Sequence, residues 1–147
     1  MYQKYKDFLL PQSIFNRQGH CKTYLRYHII FVTKYRRKCL SYIKDDVFAA
    51  FRYVEGKSDI TIHTMKLEDD HIHLIVSFPV KYSISQTISR LKELTTNYLW
   101  REKSMWLKQF YWNKKKRLLW THGYYVGTIG HVSEQIVLSY IENQGNH

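Results

Sequence analysis

The segment at residues 69–78 constrains the fold of this chain more than any other. Its sequence is Asp-Asp-His-Ile-His-Leu-Ile-Val-Ser-Phe, in which an apolar run of strand length follows two acidic residues. Because successive side chains of a β-strand point to opposite faces, His71 and His73 share one face and the alternating aliphatic residues share the other. Two neutral imidazoles on one strand provide half of a transition-metal site. The pattern also fits two ordinary polar residues on a solvated face, so both interpretations stay open here.

Patterns elsewhere predict an α+β fold with a ferredoxin-like, split βαβ topology. Runs of β-branched and aromatic residues predict strands, whereas apolar residues at helical spacing after capping residues predict helices. The order β-α-β-β-α-β gives an antiparallel sheet with helices on one face, followed by one more helix at the C-terminal end. The predicted strands are 22–33, 60–67, 71–78 and 120–129, and the predicted helices are 45–56, 83–103 and a last one from Ser133.

Length and local composition predict one domain preceded by an arm. A chain of 147 residues fits a single hydrophobic core, which we assign to residues 21–147. Residues 1–20 show no clear periodicity and are predicted to form an N-terminal arm. The sequence has neither a signal-peptide core nor an apolar run of membrane-spanning length, and its two cysteines are too few for a disulfide framework. We therefore expect a cytoplasmic protein without a membrane partner.

The net charge predicts a polyanionic partner. Lysine and arginine number 23 against 12 aspartate and glutamate, a formal charge of +11, and 16% of the residues are aromatic. Cations that meet phosphates and rings that stack on unpaired bases suit single-stranded nucleic acid. Two segments combine these features: Lys34, Tyr35, Arg36 and Arg37 after the first strand, and Lys114, Lys115, Lys116 and Arg117 after several aromatic residues. Each also fits a non-binding interpretation, as a solvated strand end or as a connector whose rings pack on the sheet.

The predicted last helix carries two residues that extend the histidine hypothesis. Tyr140 and Gln144 are four residues apart, so they lie on the same helix face one turn from each other. Separately they would be a packing ring and a solvated amide. With His71 and His73 they give a second hypothesis, in which two imidazoles and an amide oxygen hold a divalent metal beside a phenolic oxygen.

Four motifs, in this order along the chain, resemble those of a known family. They are Tyr35-Arg36-Arg37, His71-Ile72-His73, Gly123-Tyr124-Tyr125-Val126 with Thr128-Ile129-Gly130, and Tyr140-Ile141-Glu142-Asn143-Gln144. With them the chain resembles the single-tyrosine transposases of the HUH nuclease superfamily, the small IS200-like enzymes that bacterial and archaeal insertion sequences encode. The resemblance covers about residues 20–145, and the joint occurrence of the motifs is more specific than the histidine pair alone.

The resemblance implies a set of roles and partners. His71, His73 and Gln144 would bind Mg²⁺ or Mn²⁺, and Tyr140 would attack a single-stranded DNA phosphodiester to leave a 5′-phosphotyrosine and a free 3′-OH. The last helix would then be the catalytic helix. The family further implies recognition of DNA hairpins near the ends of the element, and a homodimer in which the active sites are shared between subunits.

Two alternatives remain at this level. One is a related HUH nuclease adapted to host repeats or to replication initiation, although initiators often present two tyrosines on the catalytic helix and this chain offers only Tyr140. The other is a non-catalytic module that binds single-stranded nucleic acid, because ferredoxin-like sheets with exposed rings also bind RNA.

Overall fold

An antiparallel sheet and three helices make up the part of the chain that the structure describes. This computed structural model describes residues 25–112, 116–129 and Glu142, so the arm at 1–20 and the helix predicted from Ser133 otherwise lie outside the described residues. The strands are β1 (Arg26–Val32), β2 (Thr61–Leu67), β3 (His71–Ser77) and β4 (Tyr125–Ile129), and the helices are α1 (Lys44–Lys57), α2 (Ile84–Glu102) and α3 (Ser104–Tyr111).

The sheet has the order β2-β3-β1-β4, with every neighbouring pair antiparallel. The predicted succession β-α-β-β-α-β is present, and α3 is an additional helix between α2 and β4. No helix within the described residues is long and apolar enough to span a membrane. The fold class is therefore the α+β class that the sequence predicts.

The hydrophobic core lies between one face of the sheet and the two long helices. The aliphatic residues of β3 that alternate with the histidines are fully or nearly fully buried, as is Phe31 of β1. Phe51 of α1 lies 6.5 Å from Phe31 between ring centroids, and α2 contributes Ile88 and Leu91 to the same cluster. Burying each such side chain stabilises the fold by about 1.5–3 kcal/mol. This packing fixes which face of β3 points away from the helices.

The strand register brings a set of polar side chains onto that other face. β1 lies between β3 and β4, with Ile30 opposite both His73 and Tyr125. His28, two residues earlier on β1, is opposite Ile75 on one side and Gly127 on the other. Since directly opposite residues share a face, His28, both histidines of β3 and Tyr125 lie on the face away from the helices.

The prediction that the last strand begins at Trp120 was wrong, because β4 begins at Tyr125. Trp120 forms only an isolated bridge with Thr33. Its indole is buried and donates from Nε1 to Thr95 Oγ1 at 2.9 Å. The carbonyls of residues 121–123 bind the ammonium group of Lys92 at 2.8–3.2 Å. These side-chain hydrogen bonds hold the segment before β4 in a non-strand conformation. Strand propensity alone does not predict them.

Helix α2 is close to its prediction at both ends. Ser83 caps it and forms a capping box with Gln86: the Gln86 amide donates to Ser83 Oγ at 3.0 Å, and the Ser83 amide donates to Gln86 Oε1 at 2.9 Å. The helix ends at Glu102, one residue before the predicted boundary. On the neighbouring strand β2, His63 contacts Ser77 Oγ at 2.8 Å through Nε2.

Candidate functional site

His71 and His73 lie side by side on β3, as the alternation predicts. Their ring centroids are 5.1 Å apart and the rings are nearly perpendicular, at 73°. In each ring Nδ1 has a protein partner: Asp70 Oδ1 at 2.7 Å for His71, and His28 Nε2 at 3.1 Å for His73. Nε2 is therefore the nitrogen that each imidazole can offer to a metal.

Nε2 of His73 is the one buried side-chain nitrogen or oxygen without a hydrogen-bond partner in the described part of the chain. Leaving a buried polar group unpaired costs about 1–3 kcal/mol, so this atom needs an explanation. Burial first, and then the positive charges of His71 and His28, lower the pKa of His73 to about 4. The imidazole is thus neutral at physiological pH, with a lone pair for a metal ion on one ring nitrogen, and it fits the ligand role.

Asp70 connects the histidine pair to the basic turn. Its carboxylate accepts from Nε of Arg36 at 3.2 Å as well as contacting His71. Burial by itself raises the pKa of Asp70, but hydrogen bonds from His71 and Arg36 outweigh burial and lower it. An ionised carboxylate on the outer nitrogen of a ligating histidine orients the ring and raises its basicity.

The other two residues of the hypothesis, Tyr140 and Gln144, lie outside the described residues. The structure therefore gives no distance between either of them and the histidine pair. Within the described ranges, no group of three or more His, Cys, Asp or Glu side chains is arranged to hold a metal ion. A third protein ligand for His71 and His73 would have to be a side chain of another type or come from beyond those ranges.

Three residues surround the pair: His28, Asp70 and Tyr125. The sequence assigned none of them a role at the site, and Tyr125 was named only as part of the motif that begins at Gly123. Tyr125 is 53% exposed, and its ring lies 5.5 Å from that of His28 in an edge-on arrangement. It is therefore an accessible ring beside the histidines. Asp70 was noted only as one of the two acidic residues at the start of the segment. The contacts of His28 and Tyr125 depend on the strand register, which the sequence pattern did not specify.

The first basic cluster forms a tight turn at the same end of the sheet. Lys34–Arg36 is a single 3₁₀ turn in which Tyr35 and Arg36 have positive φ angles, 61° and 51°, an uncommon backbone conformation for residues other than glycine. The Tyr35 ring is 52% exposed, with the Lys34 ammonium 5.6 Å and the Arg37 guanidinium 5.8 Å from its centroid. The cluster thus presents two cations around one accessible ring.

Several hydrogen bonds hold this turn in place. The Lys34 amide donates to Leu119 O at 2.7 Å, and its carbonyl accepts from the Tyr111 hydroxyl at 2.9 Å. The Thr33 hydroxyl donates to Arg37 O at 2.7 Å. A turn with so many backbone bonds presents its side chains on a fixed frame, which is what recognition of a phosphate backbone needs.

The second basic cluster is only partly described. Lys114 and Lys115 lie outside the described residues, whereas Lys116 and Arg117 are exposed. The latter two line a cleft of about 420 Å³ together with the 72% exposed Trp112 and with Trp100, Ser104, Lys108 and Tyr111. The aromatic residues before this cluster support both earlier interpretations. Tyr111 is buried, as expected of a connector whose rings pack inside, whereas Trp112 is exposed and accessible to a ligand.

Comparison with known proteins identifies the family to which these motifs are similar. A family model for IS200-like transposases matches residues 21–144. The transposase for insertion sequence element IS200 of Salmonella typhimurium is 32% identical over 127 residues, which are 86% of this chain and 80% of that protein. The ISDra2 transposase TnpA of Deinococcus radiodurans is 26% identical over 137 residues, 92% of this chain and 94% of that protein.

Solved structures share the fold. A Deinococcus radiodurans protein assigned as a transposase matches with a TM-score of 0.65 at 24% identity, covering 86% of this chain and 95% of that one. A tyrosine transposase associated with REP sequences, solved bound to a REP hairpin, matches with a TM-score of 0.52 at 13% identity, covering 83% and 64%. At these identities the two structures support the architecture rather than a particular activity.

Proposed function

Because the chain belongs to the IS200-like transposase family, we propose that it cleaves and rejoins single-stranded DNA at insertion-sequence ends through a 5′-phosphotyrosine intermediate. The observation that supports this mechanism best is the unpaired, buried Nε2 of His73 beside His71. A histidine pair whose Nδ1 atoms already have partners has only its Nε2 atoms left for a ligand.

The ligand set of the proposal is His71, His73 and Gln144. Each histidine would bind Mg²⁺ or Mn²⁺ through Nε2 and the glutamine through its amide oxygen, and the nitrogen ligands favour Mn²⁺. When bound there, such an ion would supply positive charge to offset the negative charge that develops on the phosphate in the transition state. The low pKa of His73 keeps that ring neutral, while Asp70 holds the ring of His71.

Tyr140 is the proposed nucleophile. Its phenolic oxygen forms a bond to phosphorus as the bond from phosphorus to the 3′ oxygen breaks. The fragment downstream of the cut stays on the protein through its 5′ phosphate, and the upstream fragment leaves with a 3′ oxygen that takes up a proton to become a hydroxyl. The reaction conserves the phosphodiester energy, and a DNA 3′-OH can reverse it to join a new end. A free phenol has a pKa near 10, so Tyr140 must lose its proton to a base or a bound water during attack.

The basic turn is proposed to hold the DNA strand next to this site. Lys34 and Arg37 would contact phosphates and Tyr35 would stack on a base, while Arg36 is paired with Asp70. Lys114, Lys115, Lys116 and Arg117 would extend the basic surface. Subterminal hairpins are the proposed recognition element, in keeping with the REP hairpin bound by the related transposase, and a homodimer with shared active sites is the proposed assembly.

A denaturing-gel assay tests the proposal. The purified protein is mixed with labelled single-stranded oligonucleotides from the flanks of its own gene, with Mn²⁺, Mg²⁺ or a chelator. We expect a protein–DNA adduct that requires metal and disappears in Tyr140→Phe and His71→Ala. The matched controls are Tyr125→Phe, which removes the hydroxyl of the exposed ring nearby, and His122→Ala at an exposed histidine.

Three outcomes would contradict it. An adduct that survives in Tyr140→Phe would mean that another tyrosine is the nucleophile. An adduct that forms equally with a chelator would contradict the metal requirement. Tight binding of the oligonucleotide without an adduct under any metal would favour the non-catalytic binding module.

A further inference from the structure

His28 and His73 form a buried hydrogen-bonded pair across two strands. Nε2 of His28 lies 3.1 Å from Nδ1 of His73, and the two rings are nearly parallel, at 13°. The exposed fractions are 7% for His28 and 1% for His73. Two imidazoles buried in contact need a reason, because apolar side chains would pack in these positions without a polar group to satisfy.

The hydrogen bond leaves two arrangements of the protons on the neutral rings. A neutral imidazole carries one N–H and one lone pair, so the shared proton belongs either to Nδ1 of His73 or to Nε2 of His28. In the first arrangement Nε2 of His73 has a lone pair. In the second it carries a proton, since the Nδ1 of the same ring is then the acceptor.

The surroundings of the two outer nitrogens distinguish these arrangements. Nε2 of His73 is buried and has no partner in the described part of the chain, and an orphaned buried N–H is rarer than an orphaned acceptor. Nδ1 of His28 is not among the buried atoms that lack a partner, so it can carry a proton without that cost. The proton of the hydrogen bond is therefore assigned to Nδ1 of His73.

We propose that His28 is a positioning residue that accepts this proton and so keeps Nε2 of His73 as the unprotonated nitrogen. The inference deepens the proposed function, since its consequence for metal binding rests on His73 being a ligand. His28 would then serve His73 as Asp70 serves His71, with one outer partner for each ring. Such outer partners fix the tautomer and orientation of a ligating histidine.

The tautomer can be measured without metal. In metal-free protein labelled with ¹⁵N-histidine, at mildly alkaline pH, long-range ¹H–¹⁵N spectra report which nitrogen of His73 is protonated. We expect a proton on Nδ1 in the wild type and a shift toward the Nε2–H form in His28→Phe, which keeps a ring but has no acceptor. His28→Gln, whose amide oxygen can accept the same proton, is expected to retain the Nδ1–H form.

Calorimetric titration with Mn²⁺ gives the second measurement. We expect His28→Phe to weaken binding by about 10–100-fold, the usual effect of losing an outer partner, and His28→Gln to stay much closer to the wild type. Amide spectra of the sheet verify that each variant is folded.

The two readouts separate this inference from the proposed function. A proton on Nε2 of His73 in the wild type would overturn the role of His28, as would unchanged Mn²⁺ affinity in a folded His28→Phe. A wild type that has the expected tautomer but binds no Mn²⁺ would contradict the metal proposal while upholding the arrangement of the pair.

Discussion

Each ring of the histidine pair has its own polar partner. Asp70 Oδ1 lies 2.7 Å from Nδ1 of His71, and Nε2 of His28 lies 3.1 Å from Nδ1 of His73. These partners leave Nε2 of each ring as the nitrogen that can bind a ligand. The carboxylate of Asp70 also accepts from Arg36, so one residue contacts both the pair and the basic turn.

Asp70→Asn tests the carboxylate at the residue scale. Asparagine keeps the shape but removes the charge that holds His71, so we expect Mn²⁺ affinity and the rate of DNA adduct formation to fall by about 10–100-fold. The free energy of unfolding should change little through the lost ion pair with Arg36, whose side chain is 68% exposed. Titration calorimetry and the gel assay measure these effects.

Asp69→Asn is the matched control, since Asp69 is the exposed neighbour with the same charge. Its Mn²⁺ affinity and its rate of DNA adduct formation should equal those of the wild type. Equal weakening by both substitutions would mean that general negative charge, rather than the contact of Asp70 with His71, is responsible.

His63 predicts a pH dependence of stability. Burial first, and then the positive charge of Arg26, lower its pKa to about 4, although Glu55 opposes the shift. The unfolded chain, with a histidine pKa near 6.5, therefore binds a proton before the folded chain does, and the free energy of unfolding falls as the pH falls from about 6.5 towards 4. Urea unfolding at several pH values should show this fall.

In His63→Gln the free energy of unfolding should fall less steeply with falling pH. Part of it should remain, because burial also lowers the pKa of His28 and His73. A variant with the same pH slope as the wild type would show that His63 does not contribute.

At the residue scale, the sequence predicts the histidine pair but not its partners. Alternation along β3 correctly predicts that His71 and His73 share a face, because it needs only the strand itself. The partner of His73 comes from another strand, 45 residues away in sequence, and depends on the register of β1 against β3. Asp70 is adjacent in sequence, but its role requires the geometry of the turn.

At the scale of elements, the sequence predicts a helix or strand best where residues close together in the chain determine its ends. The capping box of α2 and the apolar stripe behind it are local signals, and both ends of that helix are close to prediction. Helix α3 was not predicted, because its rings were interpreted as a binding segment or connector. Its Trp106 indole donates to Cys39 O at 2.8 Å, a contact with a part of the chain 67 residues earlier that no local pattern contains.

Lys92→Met tests what holds the segment before β4. The ammonium group donates to three successive carbonyls, those of residues 121–123, and lies 5.3 Å from the Tyr124 ring. Methionine keeps an apolar stem but no donor, so we expect a loss of about 2 kcal/mol in the free energy of unfolding. Amide hydrogen exchange should become faster in β4 than in β3.

Lys108→Met provides the comparison, because Lys108 is an exposed lysine on α3. Its free energy of unfolding should stay within about 0.5 kcal/mol of the wild type. An equally stable Lys92→Met would contradict the anchoring role of these three hydrogen bonds.

For the whole molecule, composition predicts a polyanionic partner and the fold determines where its contacts converge. The sequence gives a net charge of +11 but not the part of the surface on which the positive charges gather. In the structure, the turn at residues 34–37 adjoins the histidine pair through the contacts of Asp70. The sequence therefore gives the class of ligand, whereas the juxtaposition of turn and pair requires the folded sheet.

The double variant Lys34→Gln/Arg37→Gln tests the turn as a binding surface. Loss of two phosphate contacts should weaken single-stranded DNA binding and reduce the slope of log K against log salt by about 1.4. Fluorescence anisotropy at several salt concentrations measures both. Lys44→Gln/Lys57→Gln removes the same net charge from α1 and should leave the slope nearly unchanged; equal effects of the two pairs would indicate a diffuse electrostatic attraction.

The central claim is that one tyrosine of this chain becomes joined to DNA. The most direct measurement is tandem mass spectrometry of the protein after reaction with its flanking single-stranded DNA and Mn²⁺, followed by nuclease and protease digestion. We predict a single nucleotide-phosphate modification, on the peptide that contains Tyr140. The modification on Tyr125 or on any other residue, or unmodified tyrosines after DNA has been cleaved, would contradict the account.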